Sequence, residues 1–204
     1  MADIAMPPAL VLASASATRV RLLADAGVTA ASEAAAIDEA EVRAGLRAER
    51  ASAAQAAETL AELKALRVAR RHPGALVIGA DQMLDCNGVW FDKPADRDQA
   101  RAQLQALRGR AHELISAVCI VRDGARIWHA ADRARLTMRA FSDDFLDDYL
   151  AREGDAVLAC VGAYRLEGPG VQLFQRVEGD FFTVLGLPLL ALLDFLRGHG
   201  MVKR

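Results

Sequence analysis

Short apolar runs alternate with turn residues along the chain and predict the strands. Residues 9–13 and 75–80 are runs of strand length, and the second, ALVIGA, is unbroken, which is typical of a central strand. Residues 84–91 carry an Asn-Gly pair between apolar residues, which predicts a hairpin. The segment 113–139 contains two β-rich stretches around Arg122-Asp123-Gly124, which predicts a long second hairpin.

Helices are predicted where alanine, leucine and charged residues follow a capping residue. Ser16 to Ala26 reads as a helix that Gly27 stops, and 38–71 lacks proline and predicts a helix with a break near Gly45. Three further helices are expected from Asp96 to about Leu107, after Ser142 and from Pro188. Residues 157–186 are rich in glycine, and we expect irregular structure there.

The order of these elements predicts the fold class. Strands and helices alternate early and hairpins follow later, which favours an α/β fold with a mixed, twisted sheet and flanking helices. A chain of 204 residues with 53% hydrophobic content can bury a substantial core. We therefore expect a single domain over residues 1–204, with two lobes around a central cleft.

Composition indicates which ligands the protein can bind and in which compartment we expect it. The net charge of −2 gives no global attraction for nucleic acid, so an anion must be bound by a local cluster. The three cysteines lie far apart and predict neither a zinc site nor disulfides. Residues 1–12 do not resemble a signal peptide, and no apolar run reaches membrane-spanning length. We expect a reduced, cytoplasmic protein, and a homodimer only because dimers are the commonest oligomers.

The stretch VLASASATRVRLL, residues 11–23, is the first candidate site. A strand, then small residues, then a helix start with an arginine is a suitable arrangement for binding an anion, because helix N-terminal N–H groups point outward. Ser14 and Ser16 would line this site, and Arg19 would add a bidentate guanidinium. Taken alone, the stretch is better explained by an ordinary capped helix with solvated arginines.

Other polar residues stand at positions that suit catalysis or anion binding. Asp81 ends an apolar run beside Gln82, where a carboxylate can serve as a metal ligand or a general base. Lys64 stands alone on an apolar helix face, and Lys93 precedes a proline at a helix entrance. Glu167 lies in a loop of glycines and Pro169. Each also has an ordinary explanation: a capping carboxylate, a snorkelling or solvated lysine, or a turn.

Six motifs in order give the chain a resemblance to the Maf family of nucleoside triphosphate pyrophosphatases. They span roughly residues 10–197 and are LASASATRVRLL from Leu12, LAELKA from Leu60, GADQ from Gly79, KP from Lys93, LRGRAH from Leu107, and GAYRLEG from Gly162 followed by EGDFFTVLGLPL from Glu178. The resemblance implies a fold related to the inosine triphosphatases. It also implies hydrolysis of a nucleoside triphosphate to the monophosphate and pyrophosphate, with a divalent metal, usually Mg²⁺.

The resemblance also implies roles for individual residues. Asp81 falls on the family's catalytic aspartate, and Glu39, in an acidic segment, is expected to help Asp81 hold the metal. The phosphate-contacting positions are expected at Ser14, Ser16, Arg19, Lys64 and Lys93. A triphosphate needs cations on the departing pyrophosphate and an activated water, and these residue types supply both.

Three positions are expected to select the base: Thr18, Gln82 and Glu167. The family branch that prefers dTTP and UTP carries Arg, Thr and Gln there, and the 7-methyl-GTP branch carries Trp, Gln and Glu. Two of the three residues here match the second branch. A carboxylate at 167 suits the two adjacent donors of guanine and would repel the carbonyls of uracil or thymine. Pyrimidine or broad specificity stays an alternative, as does a non-catalytic role in septum formation.

Overall fold

The computed structural model describes residues 9–203, and it has a seven-stranded mixed sheet with helices on both faces. The strands are β1 Leu10–Leu12, β2 Ala31–Ser32, β3 Leu76–Cys86, β4 Val89–Phe91, β5 Ala111–Arg122, β6 Ala125–Met138 and β7 Phe174–Glu178. The helices are α1 Ala17–Asp25, α2 Glu39–Ala48, α3 Ala53–Ala69, α4 Arg97–Leu107, α5 Asp143–Glu153, α6 Phe181–Val184 and α7 Leu189–Gly198. The expectations for residues 1–12 and for a domain spanning 1–204 lie partly outside the described range.

The sheet runs β2-β1-β3-β5-β6-β7, with β4 paired to the far end of β3. β1 is parallel to both β2 and β3, whereas the pairs β3–β5, β5–β6 and β6–β7 are antiparallel. The predicted mixed sheet with flanking helices is therefore confirmed. Both predicted hairpins are also present, with turns at Asn87-Gly88 and Asp123-Gly124.

Different helices cover the two faces of β3. Val77 and Met83 belong to one core cluster with the alanine-rich helix α3, whereas Leu76 and Ile78 pack with α1 and α7 on the other face. A third cluster lies under α4 and α5. Within residues 9–203 no helix is long and apolar enough to cross a membrane.

Three predictions about local structure were wrong. The break in 38–71 falls at 49–52 and not near Gly45, because Ser52 begins α3 with a capping box to Gln55. The segment 157–186 is more ordered than expected, since it contains β7 and α6 besides three 3-10 turns. The strand predicted at 75–80 continues to Cys86, because its pairing with β5 extends from Val77 to Asp85.

Candidate functional site

The candidate site is a cleft at the edge of β3, beyond the point where β1 ends. β1 pairs with β3 only as far as Ile78, and the chain then turns away after the Ala13 N–H donates to the Ile78 carbonyl. The sequence placed Asp81 at the end of its own strand. In the structure it lies within β3 instead, beside the carboxyl end of β1. Because Asp81 and Gln82 are consecutive strand residues, they point to opposite faces, and both line the cleft.

Lys64, Asp81 and Glu39 come together at the base of the cleft from three different elements. Lys64 Nζ lies 2.6 Å from Asp81 Oδ1 and 2.7 Å from Glu39 Oε1. Lys64 is 7% exposed and Asp81 is 4% exposed, so the snorkelling explanation for Lys64 does not hold. One ammonium group thus forms ion pairs with two carboxylates, and buried charges require such pairing.

The second oxygen of Asp81 remains available. Asp81 Oδ2 is buried and has no hydrogen-bond partner among residues 9–203. Burial raises the pKa of the Asp81 carboxyl, although Lys64 and Arg19 act in the opposite direction. Burial would also raise the pKa of Glu39, but Lys64 and Arg43 outweigh it, and the pKa of Glu39 is lowered. Asp81 is therefore the better proton acceptor of the two.

The start of α1 gathers the residues of the first candidate stretch. Ser16 caps the helix, and its own N–H donates to Ser14 Oγ over 3.2 Å. Arg19 Nη1 donates to the same Ser14 oxygen over 3.3 Å, while Arg19 Nε donates to the Gly186 carbonyl over 2.8 Å. Arg19 is 9% exposed, so these contacts hold its guanidinium in place beside the cleft.

Lys93 and Thr18 line the same cleft. Lys93 lies in the loop before α4 and forms no ion pair with any of residues 9–203. Partial burial lowers the pKa of Lys93, and the positive charges of Arg19 and Lys64 lower it further. A cation held beside other cations is favourable for binding a polyanion, because the ligand relieves their mutual repulsion.

The cleft has two ends of different chemistry. One end is lined by the small residues of segment 13–18 and by the three alanines at 34–36, and Lys64 and Lys93 line the same end. The other end is lined largely by apolar and uncharged groups, namely Leu114, Cys160, Val161, Tyr164, Leu166, Val184 and Leu185. Phosphates fit the first end, and a flat, largely apolar ring fits the second.

Glu167 stands at the apolar end between two arginines. Its Oε1 lies 3.6 Å from Arg21 Nη2 and 3.7 Å from Arg165 Nε. Gln82 lies at the same end, and its amide nitrogen donates to the carbonyls of Thr183 and Val184. The structure therefore brings all three expected base-selecting positions, Thr18, Gln82 and Glu167, to one cleft.

Sequence reasoning missed several residues that shape the site. Arg43 forms ion pairs with Glu39 over 3.1 Å and with Asp92 over 2.8 Å, and only its position four residues after Glu39 hinted at this. Ser116 also shapes the site, because its hydroxyl donates to the carbonyl of Thr183 in α6. The only signal for Ser116 in the sequence was a single hydroxyl inside a mostly apolar strand.

A protein-family model described as Maf-like protein matches residues 9–199. The chain belongs to the Maf-like protein family. The motifs that carried the resemblance thus identified the family correctly. In this family member, Asp81, Arg19, Lys64 and Lys93 all line one cleft.

Several curated proteins are similar to this Maf-like protein over nearly its whole length. A nucleoside triphosphate pyrophosphatase of Paramagnetospirillum magneticum is 62% identical over 93% of this chain and 97% of its own length. Another of Granulibacter bethesdensis is 55% identical over 93% and 96%. A 7-methyl-GTP pyrophosphatase of Rhizobium meliloti is 47% identical over 97% and 99%.

The chain is also similar to solved structures, among them a nucleoside-triphosphatase described as a dITP/XTP pyrophosphatase from Mycobacterium abscessus. It covers 94% of this chain and 95% of its own, at 14% identity and a TM-score of 0.43. The expected relation to the inosine triphosphatases stays a prediction.

Proposed function

We propose that this protein hydrolyses a nucleoside triphosphate to the monophosphate and pyrophosphate. The observation that carries the proposal is the buried Asp81 oxygen without a partner, in a cleft that also holds Arg19, Lys64 and Lys93. The names of the relatives support the same activity. A protein of net charge −2 can bind such a polyanion where several cations meet locally, as Arg19, Lys64 and Lys93 do in this cleft.

In the proposed reaction, Asp81 activates a water molecule. The water oxygen forms a bond to phosphorus, one P–O bond between the α- and β-phosphates breaks, and the water proton moves to Asp81 Oδ2. Lys64 holds Asp81 Oδ1 at 2.6 Å and so fixes the direction of the free oxygen. Arg19 and Lys93 would stabilise the charge that develops on the departing pyrophosphate.

The carboxylates also fit a divalent metal, for which we propose Mg²⁺. Mg²⁺ commonly binds through one or two protein carboxylates together with substrate phosphates and water. Asp81 and Glu39 would supply the protein ligands, and within residues 9–203 no larger cluster of metal-binding side chains occurs. When bound, the metal would add positive charge at the phosphates.

The catalytic assignment is tested by Asp81→Asn, which keeps the shape of the side chain and removes the base. We expect pyrophosphate release from a panel of nucleoside triphosphates, with and without Mg²⁺, to fall by roughly 10²–10⁴-fold. Asp148→Asn, at an exposed position of α5, is the matched control and should leave the rate unchanged. Pyrophosphate release that is the same in Asp81→Asn as in the wild type would refute the assignment.

We further propose that the preferred substrate is 7-methyl-GTP or a related modified nucleotide. Glu167 lies at the apolar end of the cleft, where it can accept from the two donors of a guanine edge. Relatives named 7-methyl-GTP pyrophosphatase support this choice. Thr18 departs from the tryptophan of that family branch, so stacking on the base would have to come from other residues such as Tyr164.

Substrate choice is tested by Glu167→Gln, which replaces one acceptor oxygen by a donor. We expect kcat/KM for 7-methyl-GTP to fall by about tenfold or more relative to UTP, since an unpaired contact costs about 1–3 kcal/mol. Glu49→Gln, exposed at the end of α2, serves as the control. If the ratio between the two substrates stays the same in Glu167→Gln, Glu167 does not read the base.

A further inference from the structure

A row of polar side chains crosses the sheet on the Gln82 face. Gln82 pairs with Ser116 on β5, and Ser116 pairs with Asp132 on β6. Residues directly opposite each other on neighbouring strands point to the same face, so the three side chains form a line across three strands. Ser116 is completely buried within a mostly apolar strand, which makes a polar row here costly unless it is fully bonded.

This row binds Thr183, in the third position of α6. The Thr183 carbonyl accepts from Ser116 Oγ at 2.8 Å and from Gln82 Nε2 at 3.1 Å. The Thr183 hydroxyl, which is also completely buried, lies 2.9 Å from Asp132 Oδ2 and donates to it. Thr183 N–H donates to Asp180, the cap of α6. Each polar group of Thr183 is therefore bonded.

The other end of this segment holds Arg19. Gln82 Nε2 donates to the Val184 carbonyl at 3.0 Å, and two residues later the Gly186 carbonyl accepts from Arg19 Nε at 2.8 Å. Gly186 has a positive φ of 95°, so the turn that presents this carbonyl suits glycine. A side chain on Gly186 would stand 3.5 Å from both Arg19 Nη2 and Gln82 Oε1.

We propose that Ser116, Thr183 and Asp132 are positioning residues that act through the Gly186 carbonyl to aim Arg19 at the phosphates. Arg19 has two anchors, Ser14 on its own side of the cleft and Gly186 on the other. Loss of the α6 anchor would leave the guanidinium held by Ser14 alone, and misplacement by about 1 Å can cost on the order of 10²-fold in rate. The proposal rests on the proposed function only in taking Arg19 to bind phosphate.

The test removes the Thr183 hydroxyl with Thr183→Val, which keeps the shape of the side chain. Thr137→Val is the matched control, since Thr137 is a partly buried threonine on β6 outside this network. Two quantities are measured for each folded variant: the affinity for inorganic pyrophosphate by calorimetry, and kcat and KM for nucleoside triphosphate hydrolysis. We expect Thr183→Val to weaken pyrophosphate binding by about tenfold, and Thr137→Val to leave it unchanged.

A double-mutant cycle separates positioning from a general loss of structure. In an Arg19→Met background, Thr183→Val should change pyrophosphate affinity by less than about twofold, because the residue that it positions is gone. An equal effect in both backgrounds, or no effect of Thr183→Val in wild type, would overturn the proposal. So would a wild-type chain that binds no pyrophosphate.

A second variant covers the case in which Thr183→Val does not fold, and a second readout separates the positioning network from the proposed function. If Thr183→Val does not fold, Ser116→Ala removes a donor to the same carbonyl and is expected to show the same dependence on Arg19; independence of Arg19 would again overturn the proposal. If the protein binds pyrophosphate with the predicted coupling but hydrolyses no nucleoside triphosphate, the positioning network stands and the proposed function fails.

Discussion

Gly79 lies where α3 contacts β3, and a single methyl group there is expected to disturb both packing and catalysis. A Cβ at Gly79 would lie 2.0 Å from the Ala61 carbonyl oxygen and 2.8 Å from Ala65 Cβ. Ordinary contacts need roughly 3.5 Å, so α3 would have to retreat by about 1 Å or more. Lys64 lies between Ala61 and Ala65 on this helix, so its ammonium would retreat with it.

The size of both effects follows from these distances. Overpacking usually costs about 1–3 kcal/mol, and because the clash here is with a backbone atom we expect a loss of about 3 kcal/mol for Gly79→Ala. The contact from Lys64 to Asp81 is 2.6 Å. If α3 moved away by about 1 Å, the distance from Lys64 to Asp81 would exceed the usual range for a charged hydrogen bond. Hydrolysis by the folded variant should then fall by on the order of 10²-fold.

Gly45→Ala is the matched control, because Gly45 lies within α2 and a Cβ there meets nothing within 4 Å. Alanine at an exposed helical position should stabilise the protein by about 1 kcal/mol, the opposite sign. Urea unfolding gives the free energies, and rates are measured at a temperature where each variant is folded. A Gly79→Ala protein with wild-type stability and wild-type rate would refute the close contact of α3 and its link to Lys64.

Two further predictions concern buried titratable groups. Burial lowers the pKa of His112 from 6.5 to about 4. The unfolded chain is therefore protonated first as pH falls, and stability should drop by about 3 kcal/mol between pH 6.5 and 4. His112→Asn should remove this drop in urea titrations, whereas exposed His129→Asn should not. Lys64→Met should lower the free energy of unfolding by about 3 kcal/mol or more at pH 7, and by much less in an Asp81→Asn background. Equal losses in both backgrounds, measured by urea unfolding, would contradict the pairing of Lys64 with Asp81.

Local signals in the sequence were sufficient for much of the fold. Ser16, Asp96 and Ser142 each cap the helix that they were expected to begin, because a capping side chain bonds N–H groups only three residues away. The Asn87-Gly88 turn was equally local, since both residues take the positive φ values that a tight hairpin turn requires.

Elements that depend on distant partners were not predictable in this way. β7 is an edge strand whose residues are mostly exposed, so it lacks the apolar alternation that marks a strand, and only its pairing with β6 defines it. α6 has four residues, too few for a periodic pattern, and bonds from Ser116 and Gln82 hold it.

The sequence predicted which residues form the site but not how they are arranged. The family motifs pointed to Asp81, Lys64 and Glu39, yet nothing local indicated that Lys64 would lie between the two carboxylates. Motif order also could not show that Gln82 donates to backbone carbonyls of the α6 segment. The cytoplasmic location and the homodimer stay predictions.

The termination of β1 explains how one cleft can hold two kinds of chemistry. Where β1 no longer covers β3, consecutive residues on opposite faces reach the same space, Asp81 from the α3 side and Gln82 from the α6 side. The first face carries the proposed base and its lysine, and the second carries the anchor of Arg19. Substitutions on the α3 face should therefore act on the proton-transfer step, and those on the α6 face on phosphate affinity and base choice, although the residues concerned are neighbours in the chain.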